Sequence, residues 1–423
     1  MANISVNKAP EGFAVVPFYA TAAIFFLVFS LLLHGTGNQI LGHYFQPKVL
    51  AIVHTLALGW GTMIILGAAY QLIPVIFENK LYSSSLAFVS YVLLTIGTVL
   101  LIYCFWNFRT GSLMVLAGGL ITLCSYLYFF LLWMTIKDSE RSFELNLFFM
   151  LSAFWFCFTT TVGLILAINL GFPFLEKSHL EILKLHAHAG IAGWFLQLVL
   201  GAAAKMLPMF LLGKSSKTKL LYVSVILINL GLTMFLADGY RNGISSTTLW
   251  FGGLIFLGFL CWLIYMYDCF KSRARKKIDI PMRHAFISIL CLGVAFLQVP
   301  ILVQTTSGKW VTLYAVWIFL GWITSIILGM TFKTLPFIIW NLRYKDMNGA
   351  HKVPMPKDLY NQKLLKIQFY LFLSCLLWTS GCIVFGFRKG LAIGSYLWIL
   401  LSVSYLLNVL KVLLHKRKVD YAN

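Results

Sequence analysis

The chain has 423 residues, of which 60% are apolar (Ala, Val, Ile, Leu, Met, Phe, Trp, Tyr or Cys) and 11% are charged. A soluble globular domain usually carries about 25% charged residues, so this composition excludes a soluble enzyme and indicates a polytopic membrane protein. Lys and Arg number 33 against 13 Asp and Glu, a formal net charge of +20. Because the basic residues occupy short gaps between apolar runs, we interpret the excess as an orientation signal and not as a nucleic-acid footprint.

Twelve apolar segments are long enough, at about 20 residues each, to cross a bilayer as helices. They predict an all-α integral membrane protein in which residues 1–423 form a single twelve-helix domain. The eight cysteines lie inside these segments without a Cys-x-x-Cys pair, so we expect them to pack as small apolar residues. The predicted helices cover residues 14–34, 49–76, 83–105, 112–136, 147–171, 182–212, 219–237, 248–270, 284–305, 310–340, 365–386 and 392–414.

The distribution of Lys and Arg over the gaps predicts the orientation of the helices. The gaps that follow the even-numbered helices, together with the C-terminal tail, hold 21 of these residues, and the opposite side holds 8. Cytoplasmic loops carry such an excess, so both termini should be cytoplasmic in a multi-pass protein of the inner (cytoplasmic) membrane. Membrane lipid is therefore an expected partner.

Predicted helices two, six and ten share the pattern Gly-Trp-x6-Gly-x6-Pro. The copies are offset by 134 and 128 residues, and each falls in the second helix of a group of four. Three copies in one register indicate three tandem four-helix repeats, over about 14–136, 147–270 and 284–414. The shared positions are Gly59, Trp60, Gly67 and Pro74; Gly193, Trp194, Gly201 and Pro208; and Gly321, Trp322, Gly329 and Pro336.

The paired glycines have a physical use. Gly59 and Gly67 lie eight residues apart, or about 80° around an α-helix, and so line one side of helix two. Gly193 and Gly201 do the same in helix six. A helix side without side chains lets either a neighbouring helix or a flat ligand approach closely, so these four glycines are candidate cofactor contacts.

Three of the nine histidines lie near the predicted outer ends of these helices. His54 and His188 each precede the shared proline by 20 residues, and His186 stands two residues before His188. His186 and His188 are about 200° apart around the helix, so they face different inter-helix spaces and do not share one metal. A histidine inside a membrane span indicates function, because a polar side chain facing lipid is costly. The alternative is a histidine that only bonds a neighbouring carbonyl or interfacial water.

The remaining polar residues in or beside the spans are interpreted as surface groups. Lys205 and Lys333, three residues before the proline in helices six and ten, should snorkel to the membrane surface. The other six histidines should be solvated at loops or the tail: His34, His43, His179, His284, His351 and His415.

The three groups of four helices and the segment His186-Ala-His-Ala-Gly-Ile-Ala-Gly-Trp resemble the catalytic subunit (subunit I) of the haem-copper oxidases and nitric oxide reductases, most closely the C-type branch. The topology covers nearly the whole chain, and the motif covers about 23 residues. The resemblance implies a haem protein, with b-type haem because the chain has no Cys-x-x-Cys-His attachment motif.

Departures from the family pattern limit what the resemblance implies. The family's His-x-His lies on helix ten, whereas here it lies on helix six and helix ten has Tyr314 and Val316 at those positions. The family's copper site takes one histidine from helix six and two from helix seven, and helix seven has none here, so no copper centre is expected. Acidic residues fall near helix ends, so a proton relay through the bundle is not expected either.

The resemblance also implies how the histidines pair. In the family, the second histidine of the motif faces the next repeat helix, so His54 and His186 would hold one six-coordinate haem near the outer face. His188 would lie opposite Tyr314 and could hold a second haem with an open or tyrosine-bound position. Candidates for the haem propionates, with solvated loop charge as the alternative role, are Arg109, Arg241 and Arg388.

The implied function is redox chemistry at b-type haem without copper, either electron transfer or chemistry of a diatomic gas such as nitric oxide or oxygen. The alternative is a non-catalytic haem-based sensor, carrier or transporter. Two histidine ligands would favour electron transfer, and an open position would favour gas binding. An electron donor or partner subunit would be a separate protein, and no nucleic acid is expected as a partner.

Overall fold

The computed structural model describes residues 10–137, 143–305, 307–347 and 352–417. Within these residues the protein is all-helical, with twelve helices that are long and apolar enough to cross a membrane, as predicted. In chain order, α1 to α12 cover Gly12–Thr36, Pro47–Phe77, Ser84–Trp106, Ser112–Ile136, Phe143–Gly171, His179–Leu211, Lys219–Asn242, Thr247–Lys271, Ile280–Gln304, Gly308–Met347, Gln362–Phe385 and Arg388–Leu413.

Local capping defines several helix ends. Ser83 precedes α3, and its Oγ accepts a hydrogen bond from the Leu86 N–H at 3.2 Å. Asp279 precedes α9, and its Oδ1 accepts from the Met282 N–H at 3.2 Å. Such acceptors satisfy N–H groups that the first helical turn leaves unpaired. Gly386 ends α11 with a φ of 66°, a left-handed conformation that favours glycine.

The helices that carry the repeated pattern, α2, α6 and α10, form the centre of the bundle. Buried residues make up 67, 72 and 67% of their most apolar 18-residue windows, against 22 to 50% in the other nine described helices. The outer helices therefore present more of their surface to lipid, while the central three contact mostly protein.

Each central helix changes from α to π geometry over eight residues. The π segments are Thr55–Thr62, Ala189–Leu196 and Val316–Ile323, and each contains the repeated Gly-Trp pair. Regular α-helical geometry was the expectation here, so the wider turn is a departure that all three helices have in common. Single π turns inside α-helices are rare and occur often at functional sites.

Two tryptophan side chains tie the central helices to one another. Trp60 Nε1 of α2 donates to Thr324 Oγ1 of α10 at 3.1 Å, and Trp194 Nε1 of α6 donates to Thr62 Oγ1 of α2 at 3.1 Å. In α6 the position that corresponds to these threonines is Leu196, which has no acceptor. The side-chain link from α10 to α6 is therefore missing.

The repeated glycines receive aromatic side chains of the preceding helix. A Cβ added at Gly67 would lie 2.5 Å from the Phe18 Cβ of α1, so only glycine fits there without a shift. The glycines were expected to admit either a neighbouring helix or a flat ligand, and the structure shows the neighbouring helix. The other three are placed in the same way, with Gly59 against Phe25, Gly193 against Trp155 and Gly201 against Phe148.

The expectation for His284 is wrong. It lies inside α9 and not in a solvated loop, with its side chain fully buried and its ring centre 4.9 Å from that of Phe369. A Cβ added at Gly329 of α10 would lie 2.6 Å from the His284 Cβ. His284 therefore packs against Gly329 as Phe18 packs against Gly67 of α2. Hydropathy placed the start of α9 too late, because charged residues directly precede Ile280 and Arg283 lies in the first turn.

The interpretation of Lys333 as a snorkelling side chain is also wrong. Its side chain is 13% exposed, and its Nζ pairs with the carboxylate of Asp279. The same ammonium lies 5.1 Å from the ring centre of Phe210. Since an acidic partner neutralises it, Lys333 does not need to reach water. Lys205, by contrast, is exposed.

We expect Gly67→Ala to destabilise the protein by about 1–3 kcal/mol, as overpacking does in other well-packed cores. Gly119→Ala in α4 is the matched control, because nothing lies within 4 Å of a Cβ at that position. Thermal unfolding in detergent should give a lower midpoint for Gly67→Ala alone. Equal midpoints for the two variants would contradict the packing role of Gly67.

Candidate functional site

The central helices and their neighbours enclose a cavity of about 750 Å³, which we call the central cavity. It reaches His43, Tyr44 and Phe45 at one end of the bundle, which we call the histidine end. Its lining is mostly apolar and comes from α2 to α10, from the loop between α1 and α2, and from the α7–α8 and α9–α10 loops; of the described residues, those of α1, α11 and α12 contribute none. The volume lies within the range of about 300–1,000 Å³ that is typical of ligand sites.

His54 of α2 and His186 of α6 lie close to each other in the part of the cavity between these helices, which we call the α2–α6 half. Their ring centres are 6.5 Å apart, and their ring planes differ by 20°. The structure therefore brings together the two histidines that the resemblance implied as a pair, although 132 positions separate them in the chain.

Backbone carbonyls hold both rings. His54 Nδ1 donates to the Leu50 carbonyl at 2.8 Å, one turn earlier in α2, and His186 Nδ1 donates to the Thr159 carbonyl of α5 at 3.0 Å. A carbonyl only accepts hydrogen bonds, so Nδ1 carries the proton in each ring. In a neutral ring Nε2 then has a lone pair, and no residue in the described part of the chain forms a hydrogen bond with it. The carbonyl bond thus restrains the ring and leaves Nε2 available as a ligand.

The separation of this pair fits a shared metal. With about 2.1 Å between a metal and each imidazole nitrogen, and about 1.1 Å from each nitrogen to its ring centre, two rings on one metal would be about 6.4 Å apart. No group of three or more His, Cys, Asp or Glu side chains converges among the described residues. A bare zinc ion needs about four ligands, so two histidines fit best a metal whose other positions are filled by its own macrocycle, as in haem.

His188 and Tyr314 form a second pair in the part of the cavity between α6 and α10, which we call the α6–α10 half. Their ring centres are 6.2 Å apart, and their planes differ by 20°. His188 Nδ1 donates to the Lys184 carbonyl at 2.8 Å, the arrangement that His54 has in α2. Phe235 of α7 also contacts His188, and the centres of the two rings are 5.3 Å apart.

The two equivalent positions that remain on the central helices have apolar residues. Ile52 of α2 corresponds to His186 and Tyr314, and Val316 of α10 corresponds to His54 and His188. Both are buried, with 4 and 5% of their surface exposed, and neither lines the central cavity. The cavity therefore borders the residues of both polar pairs, whereas Ile52 and Val316 do not line it.

One ammonium group lies at the wall of the cavity near the histidine end. Lys184 lines the cavity and is half-buried. Tyr44 lies outside the spans, and partial burial raises the pKa of its hydroxyl above the ordinary value, so it stays neutral. The three arginines considered for propionate binding are exposed and do not line the cavity, which agrees with the alternative of solvated loop charge: Arg109, Arg241 and Arg388.

Four other histidines lie at the ends of the bundle, but the expectation of a solvated loop or tail residue does not hold for all of them, since His34 lies in the last turn of α1. His34 and His43 are exposed, whereas His179 and His415 are half-buried. His43 and His179 line the central cavity at the histidine end, a role that was not predicted. His351 lies outside the described residues.

Two features of α5 belong to the site and were missed from the sequence. The Thr159 carbonyl holds His186, and a Cβ added at Gly163 would lie 2.9 Å from the His186 Cε1. A carbonyl has no sequence signal, because every residue has one. Gly163 was detectable only as an isolated glycine in a membrane helix, which is common.

Comparisons with known proteins do not identify a family: no protein-family model matches the chain, and no curated protein matches it.

We expect His54, His186 and His188 to be Nδ1-protonated neutral rings in protein prepared without cofactor. Nitrogen-15 NMR of histidine-labelled protein distinguishes this tautomer from the Nε2-protonated one. Gly163→Val should change the signal of His186 alone, because the added side chain would push against its ring. The control is Gly119→Val, where the space is open. An unchanged His186 signal in Gly163→Val would contradict the described contact.

Proposed function

We propose that this chain is a haem-binding integral membrane protein in which His54 and His186 ligate a b-type haem that takes part in electron transfer. The observation that carries the proposal is the geometry of this pair, with nearly parallel rings whose centres are 6.5 Å apart. Backbone carbonyls restrain both rings through Nδ1. The adjoining cavity has the size and the apolar lining that a flat, largely apolar cofactor needs.

The proposal extends to the architecture. We infer three four-helix repeats, as in the catalytic subunit of the haem-copper oxidases and nitric oxide reductases, with α2, α6 and α10 as equivalent helices. The three matched π segments support this equivalence. It is also supported by the glycine grooves, which receive Phe18 of α1, Phe148 of α5 and His284 of α9 at corresponding positions. This chain would be a divergent member without the family's copper site.

The residues of the site have separate roles in this proposal. A bound haem supplies one-electron redox chemistry at its iron. His54 and His186 would hold the haem iron through their Nε2 atoms, and two histidine ligands leave little room for an exogenous ligand, which suits electron transfer. The Leu50 and Thr159 carbonyls orient the rings and increase the basicity of Nε2. Phe105 of α3, whose ring centre is 4.8 Å from that of His54, helps to keep water from the ligand nitrogen.

The histidine end is the side from which a redox partner would approach. The paired histidines lie near this end, and His43 and Tyr44 of the adjacent loop line the cavity. Lys184 offers an ammonium group to the carboxylates of the cofactor. The electron donor would be a separate protein or subunit.

We expect the purified protein to show the sharp reduced bands of low-spin haem, and His54→Ala and His186→Ala each to abolish them. Each substitution would remove one of the two histidines that hold the iron, so the haem would become high-spin or be lost. His34→Ala is the matched control, because His34 is an exposed histidine that does not line the cavity. Optical spectra of the oxidised and reduced proteins make the measurement.

Two results would overturn the placement of the haem. One is a protein that contains no haem after expression with an adequate haem supply. The other is a low-spin spectrum that survives either substitution while the control behaves as the wild type.

We also propose that both termini are cytoplasmic and that the histidine end faces away from the cytoplasm. The support is the charge distribution, with 21 Lys and Arg on one side and 8 on the other. A fluorescent reporter that folds only in the cytoplasm should be active when fused at the C-terminus and inactive in the loop at Tyr44. The reverse pattern would refute this orientation.

A further inference from the structure

The end of the bundle opposite the histidine end carries a dense group of basic residues. The α6–α7 and α8–α9 loops lie there, because α6 and α8 both run away from the histidine end. Residues 212–219 and 271–283, which we call the basic patch, hold nine Lys and Arg against one acid, Asp279. The nine are Lys214, Lys217, Lys219, Lys271, Arg273, Arg275, Lys276, Lys277 and Arg283.

Hydrogen bonds join the two loops of the basic patch. The Ala274 N–H donates to the Leu212 carbonyl at 3.2 Å. The Ser272 hydroxyl donates to the Lys214 carbonyl and accepts a hydrogen bond from the Lys214 N–H. Because the backbones of the two loops are already fixed to each other, a ligand that binds both loops has less chain to order, and this lowers the entropic cost of binding.

The acids near the basic patch leave most of its charge unneutralised, because they already have partners. Asp279 pairs with Lys333 of α10 and lies 3.6 Å from Arg275. Asp268, at the end of α8, lies 3.6 Å from Lys217. Within the described residues, the other seven basic side chains of the patch form no ion pair, and six of these seven are exposed: Lys214, Lys219, Lys271, Lys276, Lys277 and Arg283.

The seventh basic side chain, Arg273, is positioned where α8 meets α9. Its Nη1 donates to the Phe270 carbonyl at 2.8 Å, and its Cζ lies 3.8 Å from the centre of the Phe270 ring. The Phe270 ring in turn contacts Phe286 of α9, with 5.4 Å between ring centres. The guanidinium group is therefore held beside the junction of these two helices without an acidic partner.

The helices that adjoin the basic patch face the lipid more than the others do. Buried residues make up 22 and 28% of the most apolar windows of α8 and α9, the lowest values among the described helices. Lys271 lies in the last turn of α8 and Arg283 in the first turn of α9, so their charges stand at the depth of lipid headgroups. Charge at this depth favours a lipid over a soluble acidic partner.

We propose that the basic patch binds the headgroup of an anionic phospholipid whose acyl chains lie along α8 and α9. Lys and Arg bind phosphate oxygens through charge-assisted hydrogen bonds, and clusters of basic residues beside a membrane span attract anionic lipids. The exposed side chains of Tyr267 and Leu290 offer apolar contacts to the acyl chains. This inference is independent of the proposed haem and adds a binding role to residues that otherwise only orient the chain.

The test is native mass spectrometry of the full-length protein in detergent, with phosphatidylglycerol or phosphatidylcholine of the same acyl chains added. The wild type should retain phosphatidylglycerol in preference to phosphatidylcholine. The combined substitution Lys214→Gln, Lys276→Gln and Lys277→Gln should lower the affinity for phosphatidylglycerol on the order of 100-fold, because each basic residue near an anionic surface contributes about a factor of five. The affinity for phosphatidylcholine should not change.

The matched control is Lys357→Gln, Lys363→Gln and Lys366→Gln, which removes three exposed lysines from the α10–α11 loop and the start of α11, at the same end of the bundle. It should retain phosphatidylglycerol as the wild type does. An equal loss in both combined variants, or full retention in the patch variant, would overturn the inference. So would displacement of the lipid by inorganic phosphate but not by chloride at the same ionic strength, which would assign the patch to a soluble anion.

Discussion

An N–H group buried in an apolar bundle needs a hydrogen-bond acceptor, and this constraint fixes the orientation of the three cavity histidines. His54, His186 and His188 all meet it with a backbone carbonyl bonded to Nδ1. The ring planes are therefore set by helix backbone, which is far stiffer than a side-chain partner would be. Because the other ring nitrogen is left without such a bond, the same constraint produces a candidate ligand.

The distances between the pairs depend on how closely the central helices approach their neighbours. Glycine grooves bring α1 against α2 and α5 against α6, and the Trp60 and Trp194 bonds join α2 to α10 and α6 to α2. The side between α6 and α10 has no such bond, and it is there that His188 and Tyr314 lie.

The two halves of the cavity lie on either side of one helix. His186 and His188 stand two residues apart on α6, yet the first lies beside His54 and the second beside Tyr314. A single short stretch of α6 therefore contributes a restrained imidazole to each half.

The sequence by itself determined the class, the number of spans and the repeated pattern, because hydropathy over about 20 residues and fixed spacing are local properties. The pairing of His54 with His186 and of His188 with Tyr314 was implied by the family resemblance, and the structure places the members of each pair together. Only the tertiary structure decided that the glycines serve helix packing, that His284 is buried, and that Thr159 and Gly163 of α5 hold His186. These contacts join residues from different helices and involve backbone atoms or the absence of a side chain, for which spacing along one helix carries no information.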